Sequence, residues 1–191
     1  MRWKKLVPWV VLGLLACDGK GRDRAQAERA DSAVRGGPPV APALTGTVAG
    51  GGDFSLEELR GSPVVLVFYR GAYCGLCLRR LQLLEQHKDA YDELDAKIVA
   101  ATPDSPETAE RTADELDLDF PIVSVTREVA ERWGVWPAGE NVPRPATFVL
   151  DQHGRIRFRH IGQTAADRVS DIELLGRIRA LRSETRQVAA R

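Results

Sequence analysis

Residues Val64 to Cys77 read VVLVFYRGAYCGLC, and the fold turns on how this stretch divides. Val64 to Tyr69 is an unbroken run of β-branched, aliphatic and aromatic residues, the pattern of a central strand buried on both faces. Shortly after it, Cys74 and Cys77 stand at CxxC spacing where an amphipathic helix begins. A helix start points free backbone N–H groups and the positive end of its dipole at whatever sits there. The Cys74 thiol is therefore expected to ionise more readily than a free thiol of pKa about 8.5. At i and i+3 on one helix face, β-carbons lie roughly 5–6 Å apart, so a disulfide can open and close there with little backbone movement. As a structural staple the same pair closes so short a loop that the chain-entropy model assigns it only about 2 kcal/mol. Cys74 and Cys77 read as a redox pair.

Downstream of the pair, apolar spacing predicts a helix over about Cys74–Leu94, with Leu78, Leu81, Leu84, Tyr91 and Leu94 inward. Arg79, Arg80, Gln82, Glu85, Gln86, Lys88 and Asp89 are expected on its solvent side. Lys97–Thr102 is a second strand, and Ser105 as N-cap with Pro106 behind it opens another helix. Phe120–Val125 is a third strand, Thr126–Trp133 a short helix stopped by Gly134, and Thr147–Leu150 a fourth strand. Asp151-Gln152-His153-Gly154 makes a hairpin turn into Arg155–Ile161, which alternates Ile156, Phe158 and His160 with Arg155, Arg157 and Arg159 as an exposed sheet edge would. Ser170 with Glu173 caps a final helix carrying Ile172, Leu175, Ile178 and Leu181, with Ser183–Arg191 expected to fray. Before Val64, Ser55 with Glu58 is a capping-box pattern for one helical turn ended by Gly61-Ser62-Pro63. Apolar runs alternating with helical patterns make this an α/β chain.

The 191 residues carry 27 basic and 27 acidic side chains, so no nucleic-acid footprint appears. Residues 1–16 read as a signal peptide: Arg2, Lys4 and Lys5 precede an apolar run, Leu6 to Ala16, too short to span a bilayer. Leu14-Leu15-Ala16-Cys17 resembles the bacterial lipobox, in which the cysteine sulfur is acylated and becomes the first mature residue. On that reading the protein is an exported, membrane-anchored lipoprotein on the periplasmic or cell-surface side; an ordinary signal peptide with an incidental cysteine is the alternative. With Cys17 acylated, the remaining cysteines are one pair. Residues 17–46 form a tether rich in Gly, Ala, Pro, Arg and Asp with a typical reach of roughly 30 Å, and 47–191 the redox domain. Thr47-Val48 can form a short strand.

CxxC at a strand-to-helix junction, with Pro145-Ala146-Thr147-Phe148-Val149-Leu150-Asp151 and Gly154 far downstream, resembles the thioredoxin fold over about Gly46 to Leu181. The resemblance implies a central mixed β-sheet flanked by helices on both faces. FYRGAYCGLC followed by RPATFVLDQHGRIRF resembles more narrowly the peroxiredoxin-like branch of the alkyl hydroperoxide reductase and thiol-specific antioxidant superfamily. It implies that Cys74 is the nucleophile, and that Pro145 is a cis proline shaping the groove where substrate sulfur docks. Tyr73 takes the place of thioredoxin's tryptophan at the lip of that groove, and Arg70 or Arg144 could bring a guanidinium near Cys74. The pattern departs from the family in three places. Val67 and Gly71 stand where peroxiredoxins carry Pro and a peroxide-orienting Thr or Ser, Pro145 stands where they carry Arg, and Phe68 stands where thioredoxin has a buried Asp.

The expected activity is thiol-disulfide exchange, with Cys74 attacking and Cys77 resolving, on a protein or small-molecule thiol or disulfide and with an unidentified electron donor. One alternative is a peroxidase reducing hydroperoxides through a Cys74 sulfenic acid. The other is a copper or zinc carrier using both thiolates, although such carriers resemble a CxxxC pattern with a distal His, and no second ligand pair is present here. No cofactor is implied. His160 is expected as a hydrogen-bonded core residue, His87 and His153 as surface and turn residues, Trp133 and Trp136 as core-edge aromatics, and Glu140 and Asn141 as loop residues within reach of substrate. The direction of exchange and the oligomeric state stay open.

Overall fold

Val64 to Phe68 are all buried, and the sheet is built outward from them. The computed structural model describes residues 37–189; the expected signal peptide, Cys17 and tether residues 17–36 lie outside them. The strands are β1 (Thr45–Val48), β2 (Asp53–Ser55), β3 (Val64–Phe68), β4 (Lys97–Thr102), β5 (Ile122–Ser124), β6 (Ala146–Leu150) and β7 (Ile156–Ile161). They form one sheet in the order β2-β1-β5-β4-β3-β6-β7. β3, β4 and β5 run parallel, while β6 pairs antiparallel with β3, β7 with β6, and β1 with β5 and β2. The helices are α1 (Gly75–Gln86), α2 (Lys88–Asp92), α3 (Pro106–Leu116), α4 (Arg127–Arg132) and α5 (Asp171–Ala189), with a 3-10 turn at Leu56–Leu59.

The two-residue period of β3 sends its side chains into two cores. Val65 and Val67, with Tyr69 just beyond the strand, meet Leu81 and Leu84 of α1, Tyr91 of α2, Ala109 of α3, and Leu174 and Ile178 of α5. Val64, Leu66 and Phe68 meet Phe148, Val129 and Ala130 of α4, and Trp133. Phe68, Trp133 and Phe148 pack edge-on and tilted, with ring centroids 4.9–5.9 Å apart. This is the mixed α/β sheet with helices on both faces that the sequence implied. Ser105 caps α3 as expected, and Thr126 caps α4, each accepting a backbone N–H three residues on. The hairpin turn closes through Gly154 N–H to Asp151 O at 2.8 Å.

Several expectations need correction. The helix over Cys74–Leu94 breaks at His87, whose N–H is shared between the Leu83 and Leu84 carbonyls. The buried stripe of α1 is Cys77, Arg80, Leu81 and Leu84, so Arg80 is inside and Leu78 half-buried. In α5 the buried positions are Leu174, Ile178 and Leu181, leaving Ile172 85% exposed. α5 also continues to Ala189 rather than fraying from Ser183, with Arg182 Nη1 donating to Glu93 O at 2.6 Å. Ser55 makes no side-chain cap; Leu56 N–H instead pairs with Leu44 O. A bulge where β7 passes Val149 and Leu150 inserts Arg157 and reverses the alternation, placing Ile156 against one core and Phe158 against the other. His160 is half-buried at this edge, hydrogen-bonded to Asp167 at 2.8 Å, and not a core residue.

The boundary expected at Gly46 lies earlier. Val40 bridges to Arg155, Ala41 N–H donates to Gly154 O at 2.9 Å, and Leu44 is 1% exposed. The folded unit starts at Pro38.

Candidate active site

Cys74 and Cys77 are joined as a disulfide, their α-carbons 5.2 Å apart. Cys74 is the N-cap of α1, and Cys77 N–H and Leu78 N–H both donate to its carbonyl, which opens the helix. The Cys74 side chain accepts no hydrogen bond from the first turn in the disulfide form, but it sits at the helix end whose dipole favours an anion. The two cysteines differ in access. Cys74 is 7% exposed and Cys77 0%. Tyr73 and Leu76, by contrast, are 64% and 52% exposed, so the residues just before and two after Cys74 put apolar side chains in solvent.

The loop that carries Cys74 off β3 is held by contacts from distant parts of the chain. Tyr69 N–H donates to Ala101 O at 3.0 Å, and Cys74 N–H to Gly71 O at 3.1 Å. The carboxylate of Asp104, just past β4, accepts Ala72 N–H at 2.8 Å. Gly71 adopts φ +134°, and a β-carbon there would meet Asp104 Oδ1 at 2.8 Å and the Tyr73 ring at 2.9 Å. The hydroxyl-bearing residue that peroxiredoxins place at this position does not fit this backbone. Phe68, at thioredoxin's Asp position, is absorbed in the aromatic core and carries no proton.

Arg70 sits with its guanidinium over the Tyr73 ring, 5.9 Å from the centroid, and makes no hydrogen bond to either disulfide sulfur. Pro145 is buried and precedes Ala146, which pairs with Phe68, so it lies at the same end of the sheet as Cys74. The cis peptide implied before Pro145 is absent: among the described residues every peptide bond is trans. Arg144 N–H instead donates to Val135 O at 2.7 Å, and Pro145 O accepts Gly162 N–H at 2.8 Å, holding both sides of the proline in the trans form that X–Pro bonds ordinarily prefer. The Arg144 guanidinium is engaged by Glu140 at 2.7 Å and Gln163 at 3.1 Å, and is not directed at the disulfide.

The cation at the disulfide is Arg168, which the sequence did not single out. Its Nη2 lies 3.2 Å from Cys77 Sγ, and its Nε donates to Ala165 O at 2.8 Å. Burial, and then the charges of Arg80 and Arg70, hold Arg168 below its usual pKa. Arg80 is 5% exposed and pairs with Asp171 at 2.7 Å, while its Nε and Nη2 have no partner among the described residues. Arg168 lies in the Ala-Asp-Arg-Val segment before α5, 91 residues from Cys77, where no spacing rule ties it to a cysteine. Arg80 was findable, because i+3 from Cys77 places it on the cysteine's own face.

Residues 39–159 match the profile of the AhpC/TSA family. The chain is 33% identical over 114 residues to the thiol-disulfide oxidoreductase ResA of Halalkalibacterium halodurans, a match covering 59% of this chain and 61% of that protein. It therefore spans about three-fifths of that relative's length. It is 29% identical over 113 residues to alkyl hydroperoxide reductase E of Mycobacterium tuberculosis, covering 57% and 74% respectively. The solved structure of Mycobacterium tuberculosis AhpC superposes with a TM-score of 0.69 over 77% of this chain and 93% of that one; at 22% identity this is a likeness of fold.

Proposed function

The chain belongs to the AhpC/TSA family, and from that premise we propose that it is a thiol-disulfide oxidoreductase in which Cys74 exchanges and Cys77 resolves. The observation that carries this reading is a disulfide at a helix start in which Cys74 keeps 7% exposure and Cys77 none. Either direction of exchange then passes through Cys74. An incoming thiolate attacks Cys74 and releases Cys77; in reverse, the Cys74 thiolate opens a substrate disulfide and Cys77 displaces the product. Two electrons move with each turnover, supplied or accepted by an external dithiol–disulfide couple. Tyr73 and Leu76 offer apolar contact to a partner arriving at that sulfur, Arg70 stiffens the Tyr73 ring, and Pro145 floors the groove.

Gly71 without a hydroxyl, and Arg144 held by Glu140, favour sulfur over peroxide as the oxidant. Among the described residues, no group of three or more His, Cys, Asp or Glu side chains is placed to hold a metal ion. The anchor belongs to the same proposal: acylation of Cys17 would hold the domain at a membrane surface, and palmitate labelling that vanishes in Cys17→Ser checks it.

Exchange is tested with a dithiol substrate and mass spectrometry. Cys74→Ser abolishes exchange and Cys77→Ser accumulates a trapped mixed disulfide; an active Cys74→Ser protein ends the reading. Stopped-flow mixing of the reduced protein with hydrogen peroxide gives slow consumption, whereas rapid consumption would establish the peroxidase instead.

A further inference from the structure

We infer that Arg168 is a catalytic residue of the exchange, the group that receives the negative charge appearing on Cys77 when the disulfide opens. This role presupposes the dithiol–disulfide reading above and names the side chain that makes its hidden half work. Cys77 has no solvent contact, so a thiolate formed there has no water to stabilise it. An unpaired charge in such a place is strongly disfavoured, and the protein itself must meet it.

The charged and titratable groups around the pair come from several elements. Arg80 lies one turn along α1 from Cys77 but is committed to Asp171 at the start of α5. Asp171 is also bonded by Tyr91 of α2 and stands 3.3 Å from His87. Asp104, beyond β4, is occupied by Ala72 N–H, and the buried Tyr69 phenol is neutral at ordinary pH because burial raises it. Arg70 is turned to Tyr73. Arg168 alone among these has a nitrogen at hydrogen-bond distance from Cys77 Sγ, and its head is aimed by the bond from Nε to Ala165. Arg80 and Arg70 also repel Arg168, and a thiolate on Cys77 offsets that repulsion.

The step balances as follows. An external dithiol, as one thiolate, attacks Cys74 Sγ; a sulfur–sulfur bond forms to Cys74 and the Cys74–Cys77 bond breaks. Its electron pair goes to Cys77 Sγ, beside the Arg168 guanidinium. The second thiol of the reagent loses its proton to solvent, attacks the mixed disulfide and leaves as the oxidised reagent, while Cys74 takes up a proton. A disulfide sulfur accepts hydrogen bonds weakly and a thiolate strongly, so the Arg168 contact favours the reduced state. It also speeds opening, because a thiol of lower pKa is the better leaving group.

The test uses the full chain, dithiothreitol as reductant and a glutathione redox buffer. Arg168→Gln slows reduction by dithiothreitol and shifts the equilibrium toward the disulfide, each by about tenfold; the latter is about 30 mV for a two-electron couple. Arg168→Lys, which keeps the charge but not the planar fork, falls between. Urea unfolding of each variant separates loss of fold from loss of rate. Cys74→Ser keeps Arg168 and isolates Cys77, whose ultraviolet thiolate titration is expected below the free-thiol value of about 8.5. A Cys77 pKa above that value, as burial alone dictates, overturns the inference even where Arg168→Gln does not fold; so does a folded Arg168→Gln with unchanged rate and equilibrium. Failure of the wild type to exchange through Cys74 is a different result and strikes the proposed function instead.

Discussion

Tyr91 donates its hydroxyl to the Asp171 carboxylate at 2.6 Å, across 80 residues of sequence. The other oxygen of Asp171 takes Arg80 at 2.7 Å and stands 3.3 Å from His87, so one acidic side chain ties α1, the break after it and α2 to the start of α5. Asp171→Ala leaves the Arg80 guanidinium buried without its counter-charge. The expected loss is about 3–5 kcal/mol, read as a fall in the urea midpoint with the slope unchanged. A loss below about 1 kcal/mol would mean that Arg80 finds another partner or water.

Tyr69 and Tyr91 give stability a limit on the alkaline side. Burial raises both phenols, aided for Tyr91 by its bond to Asp171. In the unfolded chain they ionise near pH 10, while in the folded one they keep their protons. The folded state thus binds more protons above about pH 10, and stability falls with pH there while being fully present below. Urea unfolding from about pH 9 to about pH 11 is expected to steepen less for Tyr69→Phe than for the wild type. Equal slopes would count against it.

Gly71 sets the backbone before Cys74 with a φ of +134°, and Asp104 leaves no room for a β-carbon. Gly71→Ala is expected to destabilise by about 1–3 kcal/mol in thermal or urea unfolding. Gly71→Thr supplies the hydroxyl that peroxidases carry at this place, and is expected to consume hydrogen peroxide no faster than the wild type.

Leu44 tests where the domain begins. It is 1% exposed among Leu56, Val64 and Val123, within a stretch whose composition reads as tether. Leu44→Ala is expected to remove about 2–5 kcal/mol, while truncation before Pro38 leaves the urea midpoint unchanged. A midpoint insensitive to Leu44→Ala would return Pro38–Gly46 to the tether.

What could be read from the sequence was local. The apolar run Val64–Phe68, the CxxC spacing, the cap at Ser105 and the turn at Gly154 each depend on residues within a few positions, and each is where the pattern placed it. Phase errors arose where one face had two readings. Leu78, Leu81 and Leu84 count as a stripe as readily as Cys77, Leu81 and Leu84, and only the second puts Arg80 indoors against Asp171. The Arg157 bulge hides in a strictly alternating run, because an inserted residue leaves no mark when its neighbours still alternate. Arg168, Asp104 and Asp171 reach the site only through the tertiary fold, 91, 32 and 91 residues from Cys77, Ala72 and Arg80 respectively. No motif spans such separations.

β3 bonds to β4 on one side and to β6 on the other, and none of its five residues is exposed. Deuterium can replace its amide protons only when the whole domain opens, so this strand is expected among the slowest-exchanging segments of the chain. The cysteines hang from the end of that strand. Their bond can therefore be made and broken many times while the scaffold behind it stays closed, and isotope uptake in β3 should look alike in the oxidised and reduced protein.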